Sequence, residues 1–298
     1  MLAGTKSVVL EGLTKYYGNV LGIEDVSFDV KGGEVFGLLG PNGAGKTTAI
    51  RTLLGLIRAT RGRAEILGEN ALVPNLKLRA KLGYLPGISA TYDNYSARGY
   101  LSFIARMRKM NLDTKIEDIA KRLDLDLETH IHDLSKGNRQ KVSVVQAFMH
   151  EPEVFFLDEP TSGLDPLVQR EFEKMLAETR SRGASVILSS HVLSEVELLA
   201  DRVAIFNRGR VVVVDEISAL KAKARRKIEL QFERAISFED FQRVSNIKEL
   251  TVEDHQLNCV VTGSEYSLLQ RAVELGVSEV RTQESSLEEI FLDVIGAQ

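Results

Sequence analysis

The stretch Gly40-Pro41-Asn42-Gly43-Ala44-Gly45-Lys46-Thr47-Thr48 decides the fold. Its first eight residues fit the spacing G-x-x-x-x-G-K-[ST]. They follow the apolar run Val35 to Leu39 and precede Ile50, Leu53, Leu54 and Ile57, which fall at helical spacing. A strand, a glycine-rich turn and a helix in that order make a cradle for phosphate. The glycines let the backbone wrap an anion so that amide N–H groups and the helix N-terminus face it. In such a cradle Lys46 supplies positive charge and Thr47 a hydroxyl ligand for Mg²⁺.

Outward from this loop, short apolar runs alternate with helical patterns up to about Leu220. That alternation predicts an α/β fold with a mainly parallel sheet covered by helices. Val35 to Leu39, Val154 to Leu157 and Val186 to Leu188 are the expected buried strands, and Ile116, Ile119, Ala120 and Leu123 mark a further amphipathic helix. Val8 to Leu10 and the alternating Val26, Phe28 and Val30 predict a smaller β layer, and Val203 to Phe206 with Val211 to Val214 predict a hairpin. The basic run Lys221 to Lys227 marks a boundary, so the expected domains are residues 1–220 and 221–298. Beyond it come strand Ile228 to Phe232, helix Phe238 to Val244, strands Ile247 to Val252 and Leu257 to Val261, helix Leu268 to Leu275 and strand Val277 to Arg281. That β-α-β-β-α-β order predicts a small α+β, ferredoxin-like domain. A last helix is expected to open at Ser286 with Glu289 as a capping box, burying Leu287, Ile290, Phe291 and Val294.

The bulk composition narrows the function classes. With 298 residues, 44% of them hydrophobic, the chain can bury one large core or two ordinary ones. A net charge of -4 argues against nucleic acid as a partner, since phosphate-neutralising proteins carry a basic excess. The single Cys259 allows no internal disulfide, and neither a signal-peptide pattern nor a run of about 18 apolar residues occurs. The expected location is cytoplasmic, and a membrane role would need partners.

A second chemical element is Val154-Phe-Phe-Leu-Asp158-Glu159, an apolar strand ending in two carboxylates. Ligands of open α/β sheets bind at the carboxyl ends of strands. Asp158 is therefore expected to hold Mg²⁺ through water. Glu159 is expected to orient or deprotonate the water that attacks a γ-phosphate. The alternative, a pair of helix-capping acids, fits less well beside the upstream phosphate loop.

These residues, with the string Leu134-Ser135-Lys136-Gly137-Asn138-Arg139-Gln140, resemble the nucleotide-binding subunit of an ABC transporter over about Ser7 to Leu220. The string is similar to that family's L-S-G-G-Q signature and sits, as in the family, between the phosphate loop and the acidic strand. The resemblance implies a P-loop NTPase domain of ABC type, with a helical subdomain at about residues 89–150 whose segment Ser89 to His132 grips a membrane subunit. It implies binding and hydrolysis of ATP with Mg²⁺ by two such subunits, paired head to tail, with like chains favoured over unlike. Ser135 and Gly137 of one copy would then meet the γ-phosphate held by the other's loop, where a helix N-terminus favours an anion. Tyr17 resembles the aromatic that stacks on adenine, Ser162-Gly163-Leu164-Asp165 the loop coupling the two sites, and His191 the histidine that senses the γ-phosphate.

The Lys136 variant of the signature and Ser286-Leu-Glu-Glu-Ile-Phe291 are similar to an exporter-type, ABC-2-like subgroup, in which motor and multi-pass permease are separate chains. One departure stands out: Tyr84-Leu85-Pro86 is followed by Gly87, where the family places glutamine or glutamate near the metal and water. This leaves a rival in which ATP merely clamps a dimer with little hydrolysis. A soluble ABC ATPase for DNA repair or translation would call for a long coiled coil or tandem ATP domains, and a GTPase for Asn-Lys-x-Asp; the chain has none of these. His130 and His132 could hint at a metal site but lack a third ligand in the sequence and fit a loop better.

Overall fold

The computed structural model describes residues 5–88, 92, 94–223, 225–242, 244–262, 264–283, 288 and 290–291. By internal contacts the chain separates into two units, residues 1–214 and 215–298.

The first unit begins with β1 (Lys6–Tyr17), β2 (Val20–Lys31), β3 (Val35–Leu39), α1 (Lys46–Leu53), β4 (Arg61–Ile66), β5 (Glu69–Asn70), α2 (Leu76–Ala80) and β6 (Leu82–Leu85). It continues with α3 (Ala97–Met107), α4 (Asp113–Arg122), α5 (Lys136–Phe148), β7 (Val154–Asp158), α6 (Pro166–Ser181), β8 (Ser185–Ser190), α7 (Leu193–Leu199), β9 (Arg202–Asn207) and β10 (Arg210–Glu216). Two sheets form. An antiparallel layer runs β2-β1-β4-β5, and a larger sheet runs β10-β9-β3-β8-β7-β6, with β9, β3, β8, β7 and β6 in parallel. β3 and β7 are buried along their whole length, which is why they read as unbroken apolar runs.

Helix α1 lies in the core shared by the two sheets, where Ile50 and Leu53 join Val8, Leu10, Phe28 and Phe36. The Phe28 and Phe36 rings stack with centroids 4.9 Å apart, fastening the layers together. The expected run of α1 through Leu54 and Ile57 is corrected: the helix ends at Leu53, because Gly55 turns left-handed at φ 63°. β9 and β10 are joined by Arg208 and Gly209, both at positive φ, the two-residue turn that matches strand twist.

The second unit holds α8 (Ile217–Lys223), β11 (Arg225–Phe232), β12 (Ile247–Glu253), β13 (Gln256–Thr262), α9 (Tyr266–Glu274) and β14 (Val277–Gln283). Its antiparallel sheet has the order β12-β13-β11-β14. The inner face carries Ile228, Leu230, Leu257 and Cys259 against Leu268 and Ala272 of α9. The helix expected over Phe238 to Val244 is instead a single 3-10 turn, Phe238–Phe241, closed by reciprocal Ser237 and Asp240 bonds. Within that turn Phe241 is the buried residue while Phe238 is exposed, too narrow an apolar face to support a longer helix. Of the last helix expected at Ser286, residues Ser286, Leu287, Glu289 and Val294 lie outside the described residues.

His150, just past α5, is buried with Nε2 3.0 Å from the Leu82 carbonyl of β6. Burial, then the nearby Arg108 charge, brings its pKa down to about 4. An unfolded histidine takes up its proton near 6.5, roughly 2.5 units earlier, so the unfolded state binds more protons in between. This contribution to stability is full above that value and is lost as pH falls toward the folded pKa, about 3 kcal/mol in all. His150→Gln, measured by urea unfolding across this range, is expected to flatten that acid-side loss relative to wild type; parallel curves would show that His150 does not titrate this way.

Candidate functional site

The parallel register of three strands builds the site. Leu39 of β3 lies beside Ser190 of β8, and Asp158 of β7 beside Ser189, so the loop at Gly40, the two acids and His191 leave the sheet at one edge. Gly40 has to be glycine: a Cβ there would come within 2.5 Å of the Phe206 carbonyl oxygen. Gly45, at φ 111°, caps α1.

Lys46 is buried and curls back over this loop. Its Nζ donates to the Gly40 carbonyl at 2.6 Å and the Pro41 carbonyl at 3.3 Å, and lies 3.8 Å from Glu159 Oε1. Burial lowers its pKa, while Glu159 and Asp158 pull the other way. Thr47 Oγ1 donates to the Asp158 carboxylate, 2.8 Å and 3.0 Å from its two oxygens, and Ser189 Oγ donates to Oδ1 at 2.5 Å. A hydroxyl and a carboxylate held together are hard oxygen donors that suit Mg²⁺, an ion that takes few protein ligands alongside substrate phosphates. Thr47 and Asp158 would hold the ion, which neutralises charge on phosphate oxygens.

Glu159 Oε2 lies 2.7 Å from His191 Nδ1. With Lys46 on its other oxygen, the carboxylate is steered from two sides across the mouth of the loop. A cavity of about 360 Å³ opens here, lined by Tyr17, Gly22, Glu159 and the run Asn42, Gly43, Ala44, Gly45, Lys46, Thr47 and Thr48. Tyr17 is 45% exposed at the end of β1, with Lys15 Nζ 5.0 Å from its ring centroid. A Cβ on Gly22 would press on that ring at 2.9 Å, so glycine lets the tyrosine lie close over β2.

Ser135, Gly137 and Asp165 do not line this cavity. Ser135 caps α5, accepting from the Asn138 amide at 3.2 Å. Asp165 caps α6, accepting from the amides of Leu167 and Val168; the Val168 bond first of all keeps its carboxyl below the usual range. The His130 and His132 rings lie 5.6 Å apart, and among the described residues no group of three or more His, Cys, Asp or Glu is placed to hold a metal. Sequence reasoning missed the roles of Gly22 and of Ser189. The second was within reach, because hydroxyls ending an apolar strand next to the acidic one belong at the same sheet edge.

Fold and site together define a P-loop ATPase of ABC type. The family profile described as ABC transporter matches residues 23–162. BcrA of Bacillus licheniformis, a bacitracin transport ATP-binding protein, is 32% identical over 294 residues, 95% of each chain. YhcH of Bacillus subtilis (strain 168), an uncharacterized ABC transporter ATP-binding protein, is 33% identical over 96% of this chain and 95% of its own. A solved structure of the ATP-binding subunit of an ABC transporter superposes with a TM-score of 0.67 at 30% identity, over 72% of this chain and 91% of that one. The chain belongs to the ATP-binding subunits of ABC transporters. It binds and hydrolyses ATP, and membership implies Mg²⁺ as the metal and pairing with a membrane permease and another ATP-binding subunit.

Gly87 follows β6 beside the Asp158 carboxylate. A Cβ built on it would lie 3.3 Å from Asp158 Oδ2, so a side chain here points at the carboxylate that Thr47 engages. Gly87→Gln is expected to leave ATP affinity nearly unchanged and to alter turnover. A calorimetric titration of ATP beside a phosphate-release assay checks this, and an unchanged turnover counts against a role for the position.

Proposed function

We propose that two like copies close head to tail on two ATP molecules and reopen after hydrolysis, moving a separate multi-pass permease from the cytoplasmic face of the membrane in an export cycle. The observation that carries this reading is the Glu159 carboxylate held between His191 Nδ1 and Lys46 Nζ at the mouth of the phosphate loop. A carboxylate so placed can orient or deprotonate an attacking water, with His191 available to the γ-phosphate. Tyr17 offers a ring to adenine. Ser135 and Gly137 would approach the partner copy's γ-phosphate with the N-terminus of α5, and Asp165 would serve at the same junction.

The permease contact is assigned to the segment around α3. Tyr92, Tyr95 and Phe103 form one aromatic cluster with centroids about 6 Å apart, and Ile88 and Tyr92 are largely exposed. No helix among the described residues is long and apolar enough to cross a membrane. The likeness to a bacitracin transport protein over nearly the whole length supports a drug or peptide as the cargo. The second unit, expected as residues 221–298, is assigned to support of the dimer.

The rival, a clamp that binds ATP with little hydrolysis, is favoured by Gly87. Purified wild type is expected to release phosphate from Mg²⁺ ATP, and Glu159→Gln to be at least ~100-fold slower while still binding ATP and pairing. Background-level release from both proteins would favour the clamp.

A further inference from the structure

Glu159 has a backbone that its own sequence does not favour. Its φ of 51° lies in the left-handed region, and it precedes Pro160, whose ring restricts the residue before it. Such a conformation persists where its surroundings over-determine it. On the amino side the holder is Ser189, whose carbonyl and hydroxyl accept from the Glu159 amide at 3.1 Å and 3.2 Å. On the carboxyl side it is Gln140 of α5, which is 5% exposed. Its Nε2 donates to the buried Pro160 carbonyl at 2.9 Å and reaches the Glu159 carbonyl at 3.4 Å.

The neighbours of Gln140 on that helix face serve the same segment. Gly137, one turn earlier, passes so close that a Cβ would meet the Gly163 carbonyl oxygen at 2.5 Å. Lys141, whose Nζ donates to the Asp124 carbonyl at 3.1 Å, adds positive charge in the field of the Asp165 carboxylate. Positions i, i+3 and i+4 share one face of a helix, so residues 159–165 rest on a single strip of α5.

We infer that Gln140 is a positioning residue for hydrolysis, fixing from α5 the backbone of Glu159 and so the aim of its carboxylate. The inference rests on the hydrolytic, head-to-tail reading above and adds a consequence. The helix that opens at Ser135 toward one nucleotide is bonded to the backbone of the residue whose carboxylate serves the other, so closure at either site sharpens geometry at its neighbour.

The test compares Gln140→Leu, close in size but without donors, and Gln140→Glu, which donates only when protonated. Full-length wild type and variants are assayed for ATP affinity, melting, and kcat and KM with Mg²⁺ ATP. Both variants are expected to bind ATP within about twofold of wild type and to lose about tenfold or more in kcat, the effect of one hydrogen bond to a buried carbonyl. Relative to wild type, Gln140→Glu should recover as pH is lowered, while Gln140→Leu should not. Wild-type kcat in both variants, or a loss that tracks melting and ATP affinity with no pH dependence for Gln140→Glu, overturns the inference. An inactive wild type would instead overturn the hydrolytic reading and the inference with it, an outcome visible before any variant is compared.

Discussion

The site depends on the register of three parallel strands. Because β3, β8 and β7 run side by side, the phosphate loop, Ser189, His191 and the two acids all leave the sheet at the same edge. The bonds from Thr47 and Ser189 to the Asp158 carboxylate tie those three strand ends together. A one-residue slip of β7 would turn Asp158 to the opposite face and separate these groups, so packing along the buried strands also sets the chemistry. The antiparallel layer contributes from the other side by closing over α1 and bringing Tyr17 to the cavity rim.

Electrostatics follow from that geometry. Lys46 is buried among the loop carbonyls with the two acids near it, an arrangement in which an unbalanced charge would be costly. A triphosphate would bring the anionic oxygens for which the loop amides and Lys46 are arranged. Glu159, shared between Lys46 and His191, sits where it would respond to that arrival. Gly87 presents no side chain to Asp158, and a Cβ there would already lie 3.3 Å from Oδ2, so the position lacks a polar group of its own beside that carboxylate.

How much of this could be read beforehand depended on how local each interaction is. The phosphate loop was legible because its glycines, lysine and threonine lie within one turn, and β3 and β7 because strands buried on both faces are unbroken apolar runs. The strand and helix order of the second unit was legible from periodicity, but the length of its first helix was not, since Phe241 alone in that turn packs inward. Ser189 on Asp158 and Gln140 on Pro160 join residues 31 and 20 positions apart, contacts that no spacing rule announces. Gly137 could be read as part of a signature string, but its steric reason, the Gly163 carbonyl, required the fold.

A triphosphate in this loop would offer Lys46 Nζ phosphate oxygens in place of the Gly40 and Pro41 carbonyls it now engages. Titration of ATP into wild type and Lys46→Ala, with melting curves to show that both are folded, tests this most directly. Saturable binding by wild type that weakens at least ~10-fold in the variant is the expected result. Folded wild type that gives no binding signal, or a variant that binds equally well, would contradict the assignment of this loop as the nucleotide site.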